Sequence, residues 1–260
     1  MRRFFAAVLL AASCLTTACG QPEDPELALL HGARTAYITG ENLTAEELYQ
    51  RYLQEFPEGT MRLEAWNRLY DIAVNLRKEP AKALPIVEAM LLEYAADPAV
   101  LPEVIERAAG LHGALREWDV AGELWTRYLQ LPGISATRRS LARVQLAKCL
   151  TLGRKPEQAL AVLRECGITG EEPDVVFQCR IEEAGIVLRM DQFDAARTML
   201  RSLMSLEGLD PGRRAQAGFL LGETYEAQQL KSEAIATYES ILEDYPNPQA
   251  VRARLEYLRK

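Results

Sequence analysis

The sequence predicts an all-α protein built from repeated pairs of short helices, and three observations carry this prediction. Apolar residues recur at helical spacing along most of the 260 residues. Six alanines follow one another at intervals of 37 or 38 residues, and a proline comes 11 to 15 residues after each of them. Because proline cannot donate the next backbone hydrogen bond, each repeat carries its own stop signal.

The six alanines serve as anchors for aligning the repeats. The anchors are Ala45, Ala83, Ala121, Ala159, Ala196 and Ala234. A large apolar residue lies four positions after each anchor, and a small residue lies twelve positions before five of them. Asp71 is the exception, in the second repeat. Small residues let two helices approach closely, so we expect Gly222 to face Ala234 across a tight crossing in the sixth repeat.

The sixth repeat resembles the tetratricopeptide repeat (TPR) family. It carries the residues of that pattern at the usual spacing: Leu221, Gly222, Tyr225, Ala234, Tyr238 and Pro246. The resemblance implies a right-handed α-solenoid of about six TPR-like helix-turn-helix repeats, spanning residues 26–248 in units of about 38 residues. Residues 249–260 are expected to form a C-terminal capping helix. The array as a whole is expected to form one elongated domain.

The amino terminus has the pattern of a secretory signal. Arg2 and Arg3 precede a short apolar run, and small residues lead to Cys19. The segment resembles a lipoprotein signal over residues 1–18, which implies lipid on Cys19, including an amide-linked acyl chain such as palmitate, and a tether over residues 19–25. Cys14 is a competing acceptor, and a plain signal peptide or an uncleaved anchor is the alternative. The resemblance implies the outer membrane, facing the periplasm, or the outer face of the cytoplasmic membrane in a cell with one membrane.

The charge and the remaining cysteines set further bounds. The net charge is −7, and no basic stripe is present, so nucleic acid is not expected as a partner. Cys166 and Cys179 fall on helices that should be adjacent and could form a disulfide in an oxidising compartment, although small buried thiols are the alternative.

Catalytic and metal chemistry have no support in the sequence. Histidine occurs only at His31 and His112, and His112 falls at a core position that the related repeats give to tyrosine. No Cys, His and Asp cluster has metal-ligand spacing, and no phosphate loop or nucleophile elbow is present. We therefore expect no catalytic residues, no metal and no cofactor.

Function is therefore expected in a surface. In the family that this chain resembles, the first helices of successive repeats line a concave groove that takes extended peptides or partner helices. The groove positions lie 15, 11 and 8 residues before each anchor, and they supply the candidate residues Ile72, Val144, Lys148, Ile181, Leu188, Phe219 and Glu223. The alternative is that the apolar members only pack within the array.

Two functional hypotheses follow. The first is a membrane-anchored scaffold or adaptor that binds another envelope protein or peptide, in a complex of the outer-membrane assembly, secretion or pilus type. The second is a periplasmic binding module for cell-wall polymer or another small ligand, which predicts exposed aromatic side chains along one groove.

Overall fold

The computed structural model describes residues 24–167 and 172–260, and the regular structure within these ranges is helical. Thirteen α-helices are found in this part of the chain. They are α1 (Pro25–Ile38), α2 (Asn42–Glu55), α3 (Arg62–Asp71), α4 (Leu84–Glu93), α5 (Leu101–Ala114), α6 (Trp118–Gln130), α7 (Ala136–Leu152), α8 (Pro156–Leu163), α9 (Pro173–Arg189), α10 (Phe193–Met204), α11 (Pro211–Ala227), α12 (Lys231–Ile241) and α13 (Pro248–Arg259).

The chain divides into two compact units, of which the first ends at Leu76 and the second spans Arg77–Lys260. The second repeat is divided between the units, because α3 belongs to the first and α4 to the second. The other five repeats each lie within one unit.

Asp71, twelve residues before Ala83, stands where the other repeats have a small residue. Its carboxylate accepts hydrogen bonds from the Tyr37 hydroxyl and, at 2.6 Å, from the Asn75 side-chain amide. A half-buried carboxylate needs such partners, so this position cannot offer the small apolar surface that the other repeats present. The helix continues as a π-helical turn over Ile72–Leu76, and the next helix is preceded by a 3-10 turn over Pro80–Ala83.

In the first unit, α1 and α2 form a hairpin and α2 packs against α3. The side chains of Tyr49 and Tyr52 are fully buried. The Tyr52 hydroxyl donates to Glu26 at 2.6 Å. Arg34 of α1 donates two hydrogen bonds to the carboxylate of Glu64 in α3, at 2.7 and 2.5 Å. Burial of aromatic side chains and this ion pair hold the three helices together.

In the second unit, α5/α6, α7/α8, α9/α10 and α11/α12 form four successive hairpins. Each first helix from α7 onward also packs against the second helix of the preceding hairpin. The anchor alanines lie at the hairpin crossings of both units and at the start of α4, and all six are fully buried. Helix α13 packs against α12 and buries Val251, Leu255 and Leu258, the residues that its apolar spacing places on one face.

The first helix of every repeat ends in the same backbone conformation. The residue five positions before each anchor has a positive φ between 58° and 80°, the left-handed region. These residues are Gly40, Lys78, Arg116, Arg154, Asp191 and Gln229. In all repeats except the second, the next backbone N–H returns to a carbonyl five residues earlier, for example Leu230 N to Tyr225 O at 2.9 Å. This closure reverses the chain at the helix end and starts the second helix.

Gly222 shows how the sixth repeat closes. A β-carbon built at Gly222 would lie 2.5 Å from Cε1 and 2.6 Å from Cζ of the Tyr238 ring. The β-carbon position of Gly222 therefore faces the Tyr238 ring, which lies four residues after the anchor Ala234 and reaches across the crossing.

Candidate functional site

The predicted groove residues do not have one common environment. Ile72, in the first unit, is fully buried, and Val144, in the second, is 2% exposed. Neither side chain can contact a partner, so both are removed from the candidate site. Ile181 is half-buried and packs against the core of the last two repeats. For these three residues, packing within the array accounts for the apolar side chain.

In the sixth repeat, aromatic rings and the capping helix cover the groove positions. The Phe219 ring stacks on Tyr245, with centroids 4.7 Å apart, and contacts Tyr238 at 5.4 Å. Arg254 of α13 donates to the Glu223 carboxylate at 3.2 Å. Burial raises the pKa of Glu223, and the positive charge of Arg254 opposes this shift. Phe219 and Glu223 thus contribute mainly to the attachment of the C-terminal part of the array.

In the third repeat, an ion pair occupies the corresponding position. Glu106 of α5 accepts a hydrogen bond from Arg138 of α7 at 2.7 Å. The Arg138 guanidinium also lies 5.8 Å from the centre of the Tyr128 ring. Burial, followed by the neighbouring Glu106, raises the pKa of Tyr128 to about 12, so its hydroxyl stays protonated at neutral pH.

Apart from Val144 and Ile181, the groove positions of the fourth and fifth repeats are at least partly exposed on α7 and α9, two helices that pack against each other. We call Lys148, Thr151, Gly185 and Leu188 the α7–α9 surface. Lys148 is exposed and forms no ion pair with any described residue, while the other three are partly exposed. The open part of the groove is therefore a short surface with one free positive charge and one apolar side chain.

A cleft of about 410 Å³ lies between α9 and α10. Arg180 and Glu183 form an ion pair of 2.7 Å in its wall, and Met199 and Leu206 contribute apolar surface. This cleft was not among the sites predicted from the sequence. A signal was present, because Arg180 and Glu183 occupy positions that the sixth repeat gives to Gly218 and Leu221.

The cysteines of the second unit have two different states. Cys166 and Cys179 form a disulfide with a Cα–Cα distance of 5.7 Å, which ties the segment after α8 to α9. Cys149 is a free thiol buried in α7. Burial raises the pKa of Cys149, so the thiol is protonated at neutral pH and is a poor nucleophile. Cys19, the predicted lipidation site, lies outside the described residues.

His112 occupies a buried position in α5, and its Nδ1 lies 2.5 Å from Oε2 of Glu117. His112 is therefore a core residue whose side chain contacts the turn after its own helix. Across residues 24–167 and 172–260, no group of three or more acidic, histidine or cysteine side chains is arranged to hold a metal ion. None of the helices described there is long and apolar enough to cross a membrane.

Comparisons with known proteins agree with this architecture. The sequence model of the tetratricopeptide repeat matches residues 216–248, which cover most of the sixth repeat. No curated protein matches the sequence.

Three solved structures share the fold over most of the chain. The apo form of RapI aligns with a TM-score of 0.68 at 13% identity, covering 90% of this chain and 68% of that one. BtubC (BKLC) from P. vanneervenii aligns with a TM-score of 0.60 at 19% identity, covering 88% and 92%. YrrB, described as a TPR protein with an unusual peptide-binding site, aligns with a TM-score of 0.52 at 15% identity, covering 82% and 100%. This chain is therefore a TPR-like protein with an all-α solenoid fold.

Proposed function

We propose that the protein is an interaction scaffold that binds another protein or peptide through the α7–α9 surface. The observation that carries the proposal is the difference in environment between the groove side chains of different repeats. Glu106 in the third repeat and Glu223 in the sixth are held in ion pairs, and the Phe219 ring stacks on Tyr245. Lys148, by contrast, is exposed and forms no ion pair with a described residue, and Leu188 is partly exposed. The peptide-binding site named for YrrB supports the same type of function, at the level of the fold.

The chemistry of the surface defines the partner segment. Lys148 supplies an unpaired positive charge, and Leu188 supplies apolar area. Arg189 is exposed nearby in sequence, and its nearest carboxylate, on Glu182, is 3.8 Å away. A segment with an acidic side chain next to an apolar one would complement this arrangement.

The proposed location is a bacterial envelope, with the protein attached through lipid on Cys19 in a complex of the outer-membrane assembly, secretion or pilus type. The support is the sequence of residues 1–25. Radiolabelled palmitate should enter the wild-type protein and the Cys14→Ala variant, and it should be absent from Cys19→Ala. Equal labelling of Cys19→Ala and wild type would contradict the anchor.

The binding surface is tested by photo-crosslinking in the native cell. A photoreactive residue is placed at Lys148 or at Leu188, with exposed Ala161 on α8 of the fourth repeat as the matched control. We expect one protein to be captured from both surface positions and not from Ala161. Capture at Leu188 should fall when Lys148→Glu reverses the charge. The proposal fails if the adducts from all three positions are the same, or if no protein adduct forms.

The cell-wall polymer hypothesis gains no support from the aromatic side chains. Trp66, Trp118 and Trp125 are all partly buried.

A further inference from the structure

A second cleft lies between α6 and α7. Its volume is about 320 Å³, and its floor is formed by Gly122, Leu146, Cys149 and Leu150. Trp118 forms part of the wall, and an ion pair of 2.7 Å between Lys155 and Asp119 lies at the rim. The size is within the range of small ligand pockets.

The same place in the last two repeats is filled by a tyrosine. Helices α10 and α11 correspond to α6 and α7 after a shift of 75 residues. There, Tyr225 is 4% exposed, and its hydroxyl accepts a hydrogen bond from Arg201 at 2.5 Å. The Arg197 guanidinium lies 5.8 Å from the centre of the ring. The equivalent space in the last two repeats is therefore filled by a side chain of the protein itself.

Two replacements open the cleft between α6 and α7. Leu150 takes the position of Tyr225, nine residues before the anchor, and Gly122 takes the position of Arg197, one residue after it. One replacement removes the phenol ring, and the other removes the side chain beside it. The missing volume is not compensated by neighbouring side chains, because the cleft persists as an open space.

We propose that the α6–α7 cleft binds a tyrosine side chain of a partner polypeptide. The ring would lie on the floor formed by Leu146 and Leu150, as Tyr225 lies in its own cleft. Arg127 lines the cleft and forms no ion pair with a described residue, so its guanidinium complements the electronegative phenol oxygen. Arg201 donates to Tyr225 from the position that corresponds to Thr126, so Arg127 would act from the next residue along α6. The inference rests on the proposed scaffold function and specifies one contact of the partner.

The test uses the full chain labelled with 5-fluorotryptophan and titrated with N-acetyl-tyrosinamide. Trp118 lines the cleft, so its fluorine resonance should shift with saturation, while those of Trp66 and Trp125 serve as internal references. N-acetyl-leucinamide is the control ligand. We expect it to bind about tenfold more weakly, because it lacks both the ring and the hydroxyl.

Two variants close the cleft, one from α7 and one from α6. Leu150→Tyr supplies the ring that Tyr225 provides in the last repeat. Gly122→Leu starts from a glycine whose added β-carbon would be 3.7 Å from Leu146 Cδ1 and 3.8 Å from Cys149 Cβ, which is ordinary contact distance. Each variant should reduce the affinity for N-acetyl-tyrosinamide at least about tenfold. Two variants are used so that the result does not depend on the folding of one.

Three results would overturn the inference: no shift of Trp118, an equal shift with N-acetyl-leucinamide, or an unchanged shift in a folded closing variant. Equal binding of the leucine derivative would show an unselective apolar pocket. Failure of this cleft is distinguishable from failure of the scaffold function, because the crosslinks from Lys148 and Leu188 come from other residues.

Discussion

The second and sixth repeats both contain an anchor alanine followed by a proline, but they form different structures. In the sixth, Gly222 admits the Tyr238 ring to the crossing, and α11 and α12 form a closed hairpin. In the second, Asp71 stands at the position of Gly222, and the repeat is divided between two units. The two repeats differ at this position, twelve residues before the anchor, and α3 of the second repeat continues as a π-helical turn. An anchor alanine is therefore not sufficient to form a hairpin.

Gly222→Ala should give the largest effect, a loss of about 2 kcal/mol in the free energy of unfolding. The added methyl group would overlap a fully buried tyrosine ring that cannot move without breaking its hydrogen bond to Glu226, at 2.5 Å. The gain in helix propensity, about 1 kcal/mol, opposes this loss without cancelling it. Urea unfolding followed by circular dichroism measures the change.

Gly110→Ala is the matched control, because a β-carbon at Gly110 in α5 would meet nothing within 4 Å. It should stabilise the protein by about 0.5–1 kcal/mol through helix propensity alone. If Gly222→Ala is as stable as wild type, close contact with Tyr238 does not determine the geometry of the sixth repeat.

Asp71→Ala should cost about 1–2 kcal/mol, because the Tyr37 hydroxyl and the Asn75 amide both lose a charged acceptor. A small side chain at this position does not restore the pattern of the sixth repeat, since the first unit has built its own contacts around the carboxylate. Tyr37→Phe should cost less, and adding it to Asp71→Ala should change little. Additive losses in the double variant would show that the two side chains act independently.

Much of the fold follows from regularities that a sequence displays directly. The spacing of the anchors and the proline stops predict helix pairs, and an apolar stripe of Val251, Leu255 and Leu258 predicts the last helix. The left-handed residue that ends each first helix was not predictable, because lysine, arginine and glutamine have no preference for positive φ. Tertiary closure of the chain imposes that conformation at five non-glycine residues.

The candidate site was less predictable than the fold. The spacing from the anchor alanine assigns Val144, Lys148 and Phe219 to the groove, but this spacing does not show which side chains cover each position. Val144 is buried by packing, and Phe219 is covered by Tyr245 from beyond its own hairpin. The α6–α7 cleft depends on two absent side chains, at Gly122 and Leu150. Such a cleft can be recognised only by comparison with the three-dimensional structure around Tyr225, where a side chain fills the equivalent space.

The smallest expected effect concerns two carboxylates whose pKa values are shifted in opposite directions. Hydrogen bonds from Arg34 lower the pKa of Glu64 in the first unit. Burial raises the pKa of Glu223 in the sixth repeat, with Arg254 opposing and Glu226 adding to the shift. A lowered pKa means that ionised Glu64 stabilises the folded state above the unfolded pKa, and this contribution is lost as the pH falls through the folded pKa. A raised pKa means that ionised Glu223 is disfavoured on folding, and this penalty disappears as the pH falls through its folded pKa.

The slopes of stability against pH, measured by urea unfolding between about pH 3 and pH 7, separate the two cases. The stability difference between wild type and Glu64→Gln should shrink as the pH falls, because wild type loses its ion pair with Arg34. The stability difference between wild type and Glu223→Gln should change in the opposite sense, because wild type gains stability as the buried carboxylate becomes protonated. Only the slope is diagnostic for Glu223, since the substitution also removes the charge that faces Arg254. Slopes of the same sign would contradict the contrast between an ion pair that stabilises the first unit and a carboxylate that is buried at a cost beneath the capping helix.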